Sequence, residues 1–188
     1  MALDPSTPPV ARATLDIAIW FLDRARADDA PLSFQKLQRL LFLSQSLYAA
    51  QHGGPLMPAV FVAEEGGPIE PNVQRLLAGG RPRDAIVEAP TVSIRDFLEM
   101  VWQRFAAMTG ERINAVVCAN AAFTSAFAAA PGSIISLETM AEAVQTTIRA
   151  PSDAVRVLRS QRGEVVAVRS WVPATSATHT RNGSKPPR

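Results

Sequence analysis

The stretch from Ser33 to Pro55, SFQKLQRLLFLSQSLYAAQHGGP, decides how the rest of the chain is read. Leu37, Leu40, Leu41, Ser44, Leu47 and Tyr48 recur at i, i+3, i+4 and i+7, the period of one helix face. Ser33 stands where its hydroxyl can cap the first turn. His52-Gly53-Gly54-Pro55 ends the helix, with Gly53 free to take the left-handed conformation that closes many helices. Gln38 and Gln45 share one face at i and i+7, where they either bond an adjoining loop or a partner, or form a solvated helix edge.

Working outward, Leu15, Ile17, Ile19, Trp20, Phe21 and Leu22 are interrupted only by Asp16 and Ala18. A helix so apolar on all sides is expected at the centre of a bundle. It breaks at Asp28-Asp29-Ala30-Pro31. On the other side, Val60-Phe61-Val62 predicts a short strand near 59–63, leading into the turn Glu64-Glu65-Gly66-Gly67-Pro68. Pro71 suits the first turn of a brief helix over 72–78, and 79–92 reads as a loop. Ser93 is placed to cap a helix whose stripe is Ile94, Phe97, Leu98, Val101, Trp102, Phe105 and Met108, closed by Gly110. A short helix near 112–120 follows, then a loop through Pro131-Gly132. Ser136 opens a helix with Leu137, Met140, Ala141, Val144 and Ile148 on one face.

At 154–171, Val155, Val157, Val166 and Val168 alternate with Arg156, Ala167 and Arg169, which predicts a β-hairpin with arginines toward solvent; the alternative is a helix followed by one strand. The expected fold is mainly α, a helical domain of five to seven helices with a small β element. It runs over 10–172, between a disordered leader at 1–9 and a disordered basic tail at 173–188, which has no large apolar side chain.

The chain has 188 residues, 47% of them apolar, enough for one compact domain and too few for a large multidomain enzyme. Its one cysteine, Cys118, leaves no intrachain disulfide, as expected in a reducing cytosol. No run approaches the roughly 20 apolar residues of a membrane span, and the start MALDPSTPPV lacks the features of a secretory signal. A cytoplasmic protein is the expectation. Charge is unevenly spread: residues 1–148 carry 11 Lys/Arg against 15 Asp/Glu, and residues 149–188 carry 8 against 2. The basic end reads as a solvated tail. The alternative is a nucleic-acid-associated regulator working through Arg149, Arg156, Arg159, Arg162 and Arg169.

Catalytic candidates are few. With two histidines, His52 and His179, and neither His-x-x-x-His nor Cys-x-x-Cys, no metal site or cofactor is expected. Cys118 lies in Ala115-Val116-Val117-Cys118-Ala119 and reads as a small core residue; a thiol nucleophile would need His52 brought to it. The pairs Gly53-Gly54, Gly66-Gly67 and Gly79-Gly80 match no phosphate-loop pattern and read as turns. Glu64 and Glu65 could support acid–base work, but neighbours in a strand point to opposite faces. No catalytic residue is assigned, and the expectation is a protein that is not an enzyme.

Three signatures then occur in order: Lys36-Leu37-Gln38-Arg39-Leu40-Leu41-Phe42-Leu43-Ser44-Gln45-Ser46-Leu47-Tyr48, Gly53-Gly54-Pro55-Leu56-Met57, and Gly67-Pro68-Ile69-Glu70-Pro71-Asn72-Val73. Together, within Ala13 to Ala78, they resemble the Panacea domain of SocA-like antitoxins and phage-associated GepA-like proteins. Several positions depart from that pattern. Glu64 follows Ala63 where relatives tend to carry an aromatic, Gly66 replaces another, and Gln74 stands where tyrosine is usual. The family's Thr-His and Pro-Trp element is not visible near Ala119-Asn120 and Phe127.

The resemblance implies an antitoxin that neutralises a cognate toxin by direct contact, in some members as an adaptor delivering it to an AAA+ protease. The expected partner surface is the exposed edge of helix 33–51, with Gln38, Arg39 and Gln45, together with Glu64, Glu65 and Glu70. Gly53, Gly67, Pro68 and Pro71 are expected to be structural. If the signatures form one unit, the Gly67-Pro68 bend must touch helix 33–51.

Overall fold

The computed structural model describes residues 7–82, 86–149, 156–159 and 165–168. Its elements divide between two compact units, Met1–Arg149 and Ala150–Arg188, where a single domain over 10–172 was expected.

The first unit is built around a helix that begins as expected. Ser33 Oγ accepts the Lys36 N–H at 3.2 Å, opening α2 (Phe34–His52), and Gly53 closes it at φ 74 with its N–H on the Ala49 carbonyl. Every residue from Lys36 to Leu47 is buried. The central helix is therefore α2 and not the N-terminal α1 (Thr14–Ala27), on which Leu15, Trp20 and Leu22 remain half-exposed. Burying Leu37, Leu40, Leu41 and Phe42 contributes roughly 1.5–3 kcal/mol each.

After α2 the chain forms β1 (Phe61–Glu64) and β2 (Gly67–Ile69), then α3 (Pro71–Leu77), with Pro71 in its first turn. Next comes α4 (Val92–Phe105), whose stripe from Ile94 to Phe105 is buried as expected. Its boundaries differ from the sequence reading. Thr91, not Ser93, is the N-cap, and the helix stops at Phe105. Gly110 opens α5 (Gly110–Cys118) instead of closing α4, because the Thr109 hydroxyl accepts the Arg112 N–H at 3.2 Å and starts a new helix.

The region read as a loop holds α6 (Ala121–Ala129), capped by Asn120, and β3 (Ile134–Ile135). Alanine has the highest intrinsic helix propensity but supplies no large apolar stripe to read. The unit ends with α7 (Leu137–Arg149), whose first turn is held by Ser136 Oγ on the Thr139 N–H.

The three strands form one antiparallel sheet in the order β2-β1-β3. Val62 pairs with Ile69 and Ile134, and Phe61 pairs with Ile135. Phe61 and Ala63 point into the core, where Phe61 meets Phe42 edge-on at 5.4 Å. Packed against α2 are α7, α5, α4, α1 and β2.

Within the expected leader 1–9, Thr7 lies so close to Gly54 that a Cβ there would fall 2.8 Å from Thr7 Cγ2; just after it, Ala11 N–H donates to Leu56 O at 2.8 Å. Residues 1–6 and the expected tail 173–188 lie outside the described residues.

In the second unit, β4 (Arg156–Arg159) pairs antiparallel with β5 (Val165–Val168), Arg156 opposite Val168 and Arg159 opposite Val165. These are the two strands of the expected hairpin. The orientation of its arginines lies outside what is described.

Candidate functional site

A polar side chain inside a leucine-rich helix must either reach solvent or find partners within the fold. On α2 the second outcome holds. Gln38 is fully buried; its Oε1 accepts the Glu70 N–H at 2.8 Å and its Nε2 donates to the Glu70 carbonyl at 3.4 Å. Gln45, one face-repeat later, accepts the N–H groups of Leu56 and Met57 at 3.2 and 3.1 Å and donates to Met57 O at 3.1 Å. Each glutamine thus satisfies the backbone of a segment that has no neighbouring strand there to do so.

Arg39 lies between them and reaches the bend. Its Nη1 donates to Pro68 O at 2.6 Å, its Nη2 to Gly66 O, and its Nε to Asn114 Oδ1 on α5 at 2.7 Å. No carboxylate pairs with it among the described residues; carbonyl and amide oxygens carry the whole charge. Burial lowers its hold on the proton, and facing Cys118 works in the opposite direction. The guanidinium occupies the space where Gly67 would carry a side chain. At φ +114, a Cβ there would lie 2.6 Å from Arg39 Cζ and 2.9 Å from Nε. Gly67 is therefore required twice, by backbone conformation and by close approach.

Glu70 is also buried. Its Oε2 caps α3 through the Val73 N–H at 2.6 Å, and its Oε1 accepts from Asn72 Nδ2 at 3.2 Å. Lys36 donates from Nζ to Ala106 O at 2.6 Å, at the C-terminal end of α4, and burial lowers its pKa.

The expected partner surface is corrected at four of its six positions. Gln38, Arg39, Gln45 and Glu70 are buried and bonded within the fold, because the loops that follow α2 fold back over its polar face. The bend and helix are in contact through Arg39 and Gln38. Gly53, Gly67, Pro68 and Pro71 occupy the helix end, the bend and the first turn of α3. Glu64 and Glu65 remain exposed at the β1–β2 turn. On the outward face of the sheet Ile134, paired with Val62, is 68% exposed, and Val60, just before β1 at the end away from the turn, is 50% exposed.

Among the remaining candidates, His52 ends α2 and stacks on Tyr48 at 4.3 Å, and Cys118 ends α5, half-buried. Among the described residues no group of three or more His, Cys, Asp or Glu could hold a metal ion, and no helix is long and apolar enough to cross a membrane. Sequence reasoning missed Lys36 and Asn114 as members of the buried network. Asn114, three residues before the core position Val117, gave no periodic signal of facing Arg39.

Comparison with protein-family models, with curated proteins and with solved structures finds no match.

Proposed function

We propose that the chain is an antitoxin-like binding protein that neutralises a cognate toxin by direct protein–protein contact. The reading rests on the resemblance of three ordered signatures to the Panacea domain. What supports it in the fold is their joining into one hydrogen-bonded unit through Gln38, Arg39 and Gln45. The docking surface is then the turn with Glu64 and Glu65, the outward sheet face with Ile134, and Val60 at the start of β1. Apolar anchors with a charged rim are the usual anatomy of a protein contact. Delivery of the bound toxin to an AAA+ protease is the finer form of the same proposal.

The product of the neighbouring reading frame is the protein to test. It should arrest cells that lack this chain and spare cells that express it, and purified it should bind this chain. Glu64→Lys with Glu65→Lys should weaken that binding about tenfold while leaving the helical circular-dichroism signal and Tm unchanged. A harmless neighbour that does not bind argues against the reading; unchanged affinity in the double variant discards the surface. A toxin half-life shortened by this chain only in protease-positive cells would mark the adaptor form.

A further inference from the structure

In the same unit, a cavity of about 300 Å³ lies between α1 and the segment 87–90. On the α1 side it is lined by Asp16, Trp20 and Asp23, spaced i, i+4 and i+7 and so in line along one helix face. The helix presents a carboxylate, an indole and a second carboxylate in succession.

The two carboxylates are in different states. Asp23 is exposed and already holds a guanidinium: Arg81 forks onto both its oxygens, with Nη2 3.2 Å from Oδ2. Asp16 is only 5% exposed, and its Oδ1 accepts one neutral donor, the Glu88 N–H at 3.0 Å. No cation pairs with Asp16 among the described residues. A buried carboxylate with one neutral donor gains from a cation that can reach it. Glu88 also lines the cavity, its own carboxylate 3.5 Å from the exposed Arg12. Lining charges are three acidic and one basic, so an anionic ligand is disfavoured.

We propose that this cavity is a binding site for an alkylguanidinium group, seated on Asp16 with its apolar stem against Trp20 and Pro90. Guanidinium is favoured over ammonium because its planar fork matches a carboxylate and stacks on an aromatic face. The Arg81–Asp23 pair is the same recognition made within the chain, one step further along the helix. A free guanidine and an arginine side chain of another protein share this chemistry, and the two probes below distinguish them. This site stands independently of the antitoxin reading, since it involves none of the residues of that surface.

The test is calorimetric titration of the full chain with agmatine and, separately, with N-acetylarginine methylamide, alongside the NMR signal of the Trp20 indole N–H. Saturable binding of at least one probe, with a shift of that signal, is expected. Agmatine alone binding identifies a free guanidine as the ligand type; binding of the capped arginine identifies a protein side chain. Asp16→Asn should weaken binding by about tenfold or more. Arg81→Ala, which leaves α1 intact and frees Asp23, should admit a second equivalent of probe and serves if Asp16→Asn does not fold. No binding of either probe at millimolar concentration overturns the proposal, as does undiminished affinity in folded Asp16→Asn or an unchanged stoichiometry in Arg81→Ala.

Discussion

Gly66 and Gly67 stand side by side at the β1–β2 turn, yet a methyl group would meet nothing within 4 Å at Gly66 and the Arg39 guanidinium at Gly67. Gly67→Ala combines backbone strain of about 1–3 kcal/mol with displacement of a charged hydrogen bond of about 1.5–3 kcal/mol. Urea denaturation should show it destabilised by about 3 kcal/mol, and Gly66→Ala changed by no more than about 0.5 kcal/mol. Equal effects at both positions would contradict the close approach. The need for glycine at this bend is legible in the sequence, because a turn between a strand and a proline demands conformational freedom. Its reason is not. Arg39 looks like a surface charge on an amphipathic helix, and its acceptors at Gly66 and Pro68 are backbone carbonyls, which leave no mark on residue identity. For Gln38 and Gln45, of the three readings open in the sequence (an adjoining loop, a partner or a solvated helix edge), the fold realises the first.

At the scale of elements, α1 and α4 are fastened by Arg24, which donates to both Glu99 oxygens at 2.8 and 2.9 Å and also pairs with Asp28. Asp28 in turn accepts the Trp102 indole N–H at 2.8 Å. The Trp102 hydrogen bond, then Arg24, lowers the Asp28 pKa, and the Arg24 hydrogen bond lowers that of Glu99. Both carboxylates are more acidic folded than unfolded. Their contribution is therefore present above the ordinary carboxylate range and is lost as pH falls through the depressed folded values. Tm should fall on acidification below about pH 4, the unfolded carboxylate range, less steeply in Asp28→Asn with Glu99→Gln than in the wild type. An identical slope in both proteins would show that the cluster does not report on folding.

The elements themselves were unevenly legible. The cap and stop of α2 were written in Ser33 and Gly53, and the α4 stripe in its large apolar residues. The alanine-rich α6 had Asn120 as a cap and a single i, i+4 pair, Phe123 and Phe127, too short a pattern to mark a stripe. The exchange of centre between α1 and α2 was hidden because composition counts polar residues as outward-facing, whereas Lys36, Gln38, Arg39 and Gln45 turn inward to backbone groups far along the chain.

For the whole molecule, the sequence disclosed a mainly helical fold with a small sheet and the joint placement of three signatures. The surface was less legible, since burial of the α2 polar face depends on contacts some 30 residues apart, such as Gln38 with Glu70. What remains outside, Glu64 and Glu65 with Val60 and Ile134, is where partner recognition is proposed, and the buried network holds that turn in place. Native-state hydrogen exchange of the Leu56, Met57 and Glu70 amides tests this arrangement most directly, because each donates to a buried glutamine of α2 rather than to a regular strand or helix. Protection matching that of the α2 backbone, lost only with global unfolding, is the expected result. Exchange at the rate of exposed loop amides would contradict it.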